Sequence, residues 1–274
     1  MRASATAGVP VTMLEEGIEF ADVYGISAGS SHAGNFISRD KWRTKASFGE
    51  FFANPGVAGW GGFLRGRGYF NAEYIYEIAC LPGEKLVFDF DEFMANPARM
   101  HIEAFERDTG RSVSWTKDDM KTMPDLMRRV RACSTMPLFM PPIEIGGHYY
   151  LDGGISDCSG ILLDQARRDG YKKFFIVLTQ LRGYRKQPDK HPAFIKALCG
   201  RHKNVAEAML NRYKNYNRLL DEIDLLEASG DAYVFYPGAM LVKNTTLDQE
   251  LLQESYRLGY EQAQKELSAW RSFL

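Results

Sequence analysis

Five consecutive residues, Gly25-Ile26-Ser27-Ala28-Gly29, spell Gly-x-Ser-x-Gly. This is the sharp strand-to-helix turn that lifts a serine hydroxyl into reach of an acyl carbonyl. The chemistry it permits is nucleophilic attack on an ester or amide. In such a turn a side chain at Gly25 or Gly29 is expected to collide with the neighbouring strand or helix. The N-terminus of the following helix aims backbone N–H groups, that of Ala28 first, at a developing oxyanion. A hydroxyl is a weak nucleophile without a base. The histidines are His32, His101, His148, His191 and His202. The chain order Ser, acid, His of an α/β-hydrolase leaves only His191 and His202 far enough downstream, and neither stands at the end of an evident strand. Asp152 is the better partner. In Tyr149-Tyr-Leu-Asp-Gly-Gly-Ile-Ser-Asp157 a strand runs into an aspartate followed by two glycines, which let the backbone turn and leave the carboxylate unobstructed. A carboxylate tuned by burial can take the serine proton. Taken alone, the same Asp-Gly reads as an ordinary turn that caps a strand.

The elements that must hold these groups alternate along the chain. Phe20–Tyr24 reads as a strand and Ala28–Ile37 as a helix, after a first helix from about Ala5 to Gly17. Residues 39–82 break the rhythm with many glycines and with Trp42, Phe48, Phe51, Phe52, Trp60, Phe63, Tyr69, Phe70, Tyr74 and Tyr76. This insertion is either a cap over an apolar site or the packing skin of irregular loops. Asp91–Ala95 reads as a short helix. Arg99–Glu106 and Arg111–Trp115 read as two strands around a turn at Gly110. Further along, helices are expected over 125–132, 161–168 and 205–227, and strands over 149–151, 173–179 and 232–236. A closing helix runs from Leu247 to about Ser268, with Thr246 as its N-cap. Helices spaced by strands predict an α/β sandwich with a mainly parallel sheet, built as one domain over 1–274.

Composition narrows the function. The chain has 274 residues, a net charge of −1, 45% hydrophobic and 25% charged residues. A soluble globular protein is expected, and a nucleic-acid partner is not. Arg65-Gly-Arg67 and Arg182 to Lys186 read as solvated loops rather than phosphate sites. Cys80, Cys133, Cys158 and Cys199 fall in no metal-ligand spacing, so buried free thiols are expected, with neither a metal nor a disulfide framework. The N-terminus lacks the apolar stretch of a signal peptide, and no run of about 18 apolar residues exists. These features point to the cytoplasm, with contact at a membrane surface only peripheral.

The Ser27 and Asp152 motifs in this order resemble the patatin-like phospholipases. The resemblance extends to Ala132-Cys-Ser-Thr-Met-Pro137 with Phe139-Met-Pro-Pro142 just before the aspartate, and to Leu14-Glu-Glu-Gly-Ile18 at the end of the first helix. Asp157, Asp169-Gly-Tyr171 and Thr179-Gln-Leu-Arg-Gly-Tyr184 are similar to the bacterial, single-domain branch. The resemblance implies a three-layer α/β/α sandwich and a lipid acyl hydrolase with a Ser–Asp dyad. Ser27 is then the nucleophile and Asp152 the general base, and the substrate is a lipid or another ester. No cofactor is required.

Two departures from the family bear on function. Met1-Arg2-Ala3 lines up with the end of the family's Gly-Gly-Gly-x-Arg-Gly loop, which supplies most of the oxyanion hole. This places the loop's glycines and their strand before residue 1, and assigns Arg2, with Gly25, Ala28 and Gly29, to the elbow and oxyanion region. Loss of one oxyanion donor costs about 3–4 kcal/mol. A start upstream of Met1 is the favoured explanation, a degenerate paralogue the other. Pro10 is the second departure, since an interior helix proline costs about 3 kcal/mol. The alternatives to a Ser–Asp hydrolase are a non-catalytic or weakly active protein that binds lipid or a partner, and a Ser-His-Asp esterase using His191 or His202.

Overall fold

The computed structural model describes every residue of the chain except Pro55, Trp60, Phe63, Leu64 and Arg67. Trp60 and Phe63 of the aromatic stretch, and Arg67 of one basic cluster, thus lie outside the described residues. A 3-10 turn over Arg2–Thr6 leads into α1 (Gly8–Glu15). The break between them puts Pro10 in the first turn of α1, where backbone N–H groups have no intrahelical acceptor, so the expected interior-proline penalty does not arise. β1 (Asp22–Gly25) and α2 (Ala28–Ile37) flank the serine as the sequence predicts. α3 (Lys41–Ala46) and α4 (Phe90–Ala95) each start on an aspartate, Asp40 and Asp89, whose carboxylate accepts a first-turn N–H.

β2 (Arg99–Glu106) and β3 (Ser112–Thr116) form the expected antiparallel pair, with Gly110 at φ +75° in the turn. α5 (Met123–Cys133) is capped by the Thr122 hydroxyl. β4 (Ile143–Ile145) pairs with β5 (His148–Asp152) through Gly146 and Gly147, both at positive φ. Three residues show no readable alternation, so β4 escaped the sequence pattern. α6 (Leu163–Arg168) and β6 (Phe174–Val177) follow. α7 (Pro192–Cys199), which no sequence pattern singled out, begins just after His191, and Pro192 suits a helical first turn. α8 (Lys203–Ser229), β7 (Ala232–Phe235) and α9 (Gln249–Phe273) complete the chain. Asp248, not Thr246, caps α9: its carboxylate accepts the Leu251 N–H at 3.0 Å, while the Thr246 hydroxyl accepts the N–H of Lys243.

The fold is α/β, and the sheet is mixed rather than mainly parallel. β2 pairs in parallel with β1 and antiparallel with β3 and β5, and β5 continues to β4. β6 and β7 form a separate parallel pair. Among the described residues β1 bonds to a strand only through β2, and β6 only through β7. Side chains tie the two parts together. The Tyr24 hydroxyl donates to Asp169 at 2.7 Å, and the Tyr171 hydroxyl donates to Asp22.

Period-two alternation sends neighbouring strand residues to opposite faces. Met100, Ile102 and Ala104 of β2, with Phe175 and Tyr233, pack against α2, α5 and Trp270 of α9. Phe105 and Leu151 turn the other way onto α7 and the start of α8, and Phe174 and Val234 onto α6 and α8. α9 lies across the N-terminal segment with little space between backbones. A Cβ on Gly259 would stand 2.1 Å from the Ala5 carbonyl oxygen, and one on Gly8 would stand 2.4 Å from Tyr260 Cα. The aromatic stretch folds around its own buried cluster, which includes Phe51, Phe70 and Ile75. No described helix is long and apolar enough to cross a membrane.

Candidate active site

Strand register brings the two motifs together. β1 ends with Gly25 opposite Ile102 of β2, and β5 ends with Asp152 opposite Ala104. β3 occupies β2 from His101 to Phe105 on one edge, so β1 and β5 share the other edge and approach Glu103 from opposite directions. Both chains then turn at the same level. The Asp-Gly-Gly turn sits directly on β2, where a Cβ at Gly153 would be 2.1 Å from the Glu103 carbonyl oxygen.

The serine turn is tight and strained. Ser27 has φ 55° and ψ −123°, a conformation that costs a non-glycine residue about 1–3 kcal/mol. Its backbone is fully engaged. The Ser27 N–H donates to Cys133 Sγ at 3.2 Å, and its carbonyl accepts from the Ser30 N–H at 2.9 Å and the Ser30 hydroxyl at 2.6 Å. The two glycines have different jobs, which corrects the sequence expectation. A Cβ on Gly25 would lie 2.2 Å from the Gly29 carbonyl oxygen, whereas one on Gly29 would meet nothing within 4 Å. Gly29 lines open cavity, not a collision. The Ala28 N–H, at the start of α2, donates to no protein acceptor among the described residues.

Asp152 is buried, and its Oδ1 accepts the Gly154 N–H at 2.7 Å. Burial raises its carboxyl above the ordinary range, opposed by the nearby Ser27 hydroxyl, the Gly154 N–H and the charge of Arg212. The backbone N–H of Asp152 donates to Thr135 at 2.7 Å. One short segment at the end of α5 therefore holds both motifs, Cys133 gripping Ser27 and Thr135 gripping Asp152. The sequence singled out Ala132 to Pro137, but nothing in its residue types assigned these two anchoring roles. Burial pushes the Cys133 thiol up to about 12, which keeps it protonated beside the serine.

Ser27 and Asp152 open onto a cavity of about 790 Å³. Phe48, Phe52, Phe70 and Tyr76 form an aromatic wall, so the insertion both packs on itself and faces the site. Met209, Arg212 and Tyr216 of α8 form another wall. Arg2 also lines the cavity, with its Nε donating to Asn244 Oδ1 at 2.9 Å. No histidine lines it. His191 is exposed at the start of α7, and His202 Nδ1 lies 3.4 Å from Asp108 Oδ1. His101 and His148 are held by Asp22 and Glu106, and half-buried His32 faces the Ala3 carbonyl. Of the basic stretch expected to be a solvated loop, Arg182 and Arg185 pair with carboxylates of α8, but Lys186 faces the cavity.

Residues 1–163 match the patatin-like phospholipase family. Residues 202–274, which hold α8, β7 and α9, match a domain of unknown function, DUF6363. No curated protein matches the chain.

Proposed function

The chain belongs to the patatin-like phospholipase family, and from this premise we propose that it is a serine lipid acyl hydrolase working through Ser27 and Asp152. The observation that carries this reading is the buried Asp152 carboxyl facing the Ser27 hydroxyl in a cavity without histidine. Ionised Asp152 accepts the hydroxyl proton as Ser27 Oγ bonds to the ester carbonyl carbon. The negative charge moves to the carbonyl oxygen, beside the free Ala28 N–H and the N-terminus of α2. When the C–O bond breaks, the departing alkoxide takes the proton back from Asp152 and leaves as the alcohol. Asp152 then deprotonates a water that attacks the acyl-enzyme, and Ser27 leaves as the hydroxyl. No step uses a metal or an organic cofactor. The cavity volume suits a small lipid or one acyl chain with part of its head group.

The same reading takes the chain as one three-layer α/β/α unit over 1–274, with Arg2 beside the oxyanion region. It works in the cytoplasm and touches membranes only peripherally. The test is turnover of a p-nitrophenyl ester. Ser27→Ala and Asp152→Ala are each expected to abolish it, and His191→Ala and His202→Ala to leave it intact. Loss of turnover on either histidine change would replace the dyad with a triad.

A further inference from the structure

The cavity beside Ser27 collects positive charge that the hydrolytic steps do not use. Gly154 separates the Asp152 carboxyl from the guanidinium of Arg212: a Cβ there would stand 2.9 Å from Asp152 Oδ1 and 3.2 Å from Arg212 Nη2. Arg212 comes from α8, far along the chain, and its Nε is buried without a hydrogen-bond partner. Lys186 and Arg2 line the same cavity. The backbone of Lys186 is fixed by two bonds to Asn217, at 2.8 and 3.0 Å, which leaves its side chain to face inward. Arg2 is anchored by Asn244. Among the described residues none of these three cations has a carboxylate within ion-pair distance, whereas Arg182 and Arg185 close by are both paired. Besides Asp152, the carboxylates of Asp189 and Asp22 line the cavity: Asp189 accepts the His191 N–H at 2.8 Å, and Asp22 is already held by Arg99, His101 and Tyr171.

Gathering three cations in one partly buried place is unfavourable until an anion arrives. Burial, then Arg212 and Arg2, lower Lys186 to about 8, and burial and Arg212 lower Arg2. An unpartnered arginine nitrogen is an open donor for a forked acceptor such as a phosphate or carboxylate.

We propose that Arg212, Lys186 and Arg2 form an anion subsite beside Ser27, and that the preferred ester carries a phosphate or carboxylate group lodged there. The subsite gives the C-terminal segment a role in the site, because it supplies Arg212. This rests on the reading of Ser27 and Asp152 as the hydrolytic pair, and the experiment separates the two.

Three esters are compared: neutral p-nitrophenyl butyrate, mono-p-nitrophenyl glutarate with its free carboxylate, and a lysophosphatidic acid with its phosphate. The readout is the ratio of kcat/KM for each anionic ester to that for the neutral one. Arg212→Gln and Lys186→Gln are each expected to lower at least one ratio by about tenfold or more, with Arg212→Lys recovering part of the loss. The ester whose ratio falls identifies the anion. Ratios unchanged in both Gln variants would overturn the subsite, and a general loss of folding moves all esters together. If the unaltered protein hydrolyses none of the three, the hydrolytic reading fails. Calorimetry of glycerol 3-phosphate and glutarate with Ser27→Ala then decides the subsite alone. Binding weakened by adding Arg212→Gln upholds it, and no binding or equal binding overturns it.

Discussion

Gly25→Ala adds one methyl group at the tightest point of the serine turn. That carbon would stand 2.2 Å from the Gly29 carbonyl oxygen, 2.4 Å from the Gly29 carbonyl carbon and 2.8 Å from the Ser30 nitrogen. All three neighbours are backbone, so no side chain can swing aside. Unstrained heavy-atom contacts begin near ~3.5 Å, so the turn must open by roughly 1 Å. Overpacking of this kind costs about 1–3 kcal/mol, and in a chain of this size each kcal/mol moves Tm by about 2–4 °C. A drop in Tm of roughly 2–12 °C is expected. A nucleophile moved by about 1 Å loses around a hundredfold in rate. Gly29→Ala is the matched control, because its new carbon enters open space on a helix, where alanine is favoured over glycine by about 1 kcal/mol. Thermal melts and kcat/KM on a p-nitrophenyl ester measure both variants. Gly29→Ala is expected to hold or raise Tm and to lose less activity than Gly25→Ala. A Gly25→Ala protein with unchanged Tm and kcat/KM, or a Gly29→Ala protein equally damaged, would refute the geometry of the turn.

Four further outcomes follow from the charges and contacts. Burial raises Asp152 above the ordinary aspartate range of about 3.9, so the acid limb of the kcat/KM profile is expected above that value. A carboxyl whose folded pKa is raised contributes stability below its unfolded pKa and loses it as pH rises. Asp152→Asn is therefore expected to melt higher than the parent at pH 7, an advantage that vanishes near pH 4. Asp22 behaves in the opposite sense. Burial disfavours its charge, but hydrogen bonds from Arg99, Tyr171 and His101 outweigh that and lower its pKa. Its contribution is present above the ordinary aspartate range and lost as pH falls through the lowered value. Denaturant melts should show Asp22→Asn costing about 1–3 kcal/mol at pH 7 and progressively less as the pH falls below about 4. Gly259→Val pushes α9 off the N-terminal segment, where even a Cβ would meet Ala5 at 2.1 Å. A loss of at least about 1–3 kcal/mol is expected from the same melts, and an unchanged midpoint would contradict the close crossing.

Ser27 and Asp152 were legible because each needs a short, local arrangement: a serine between turn-permitting residues, and an aspartate before two glycines. The helix over Ala28–Ile37 and the β2–β3 turn at Gly110 were legible for the same reason. Their pairing was expected from the two motifs and the resemblance, but the way they meet was not legible, because it depends on β1 and β5 sharing one edge of β2, a matter of register between distant segments. Arg212 and Lys186 were hidden differently. On α8 and its neighbouring loop they stand among many charges, most of which are solvent-facing ion pairs, and only the tertiary packing separates the unpaired ones. β4 was too short to show a period. Pro10 misled because a break in the helix, invisible to propensity, moved it into a first turn. Gly29 misled because only coordinates distinguish a glycine that avoids a clash from one that borders a cavity.

The central claim is that Ser27 is a nucleophile activated by Asp152. Its most direct measurement is mass-spectrometric mapping of the adduct formed with a fluorophosphonate at neutral pH. The account predicts one adduct per chain, on the peptide holding Ser27, formed far more slowly in Asp152→Asn and not at all in Ser27→Ala. A folded protein labelled on another serine, or labelled at Ser27 equally fast with and without the Asp152 carboxylate, would contradict it.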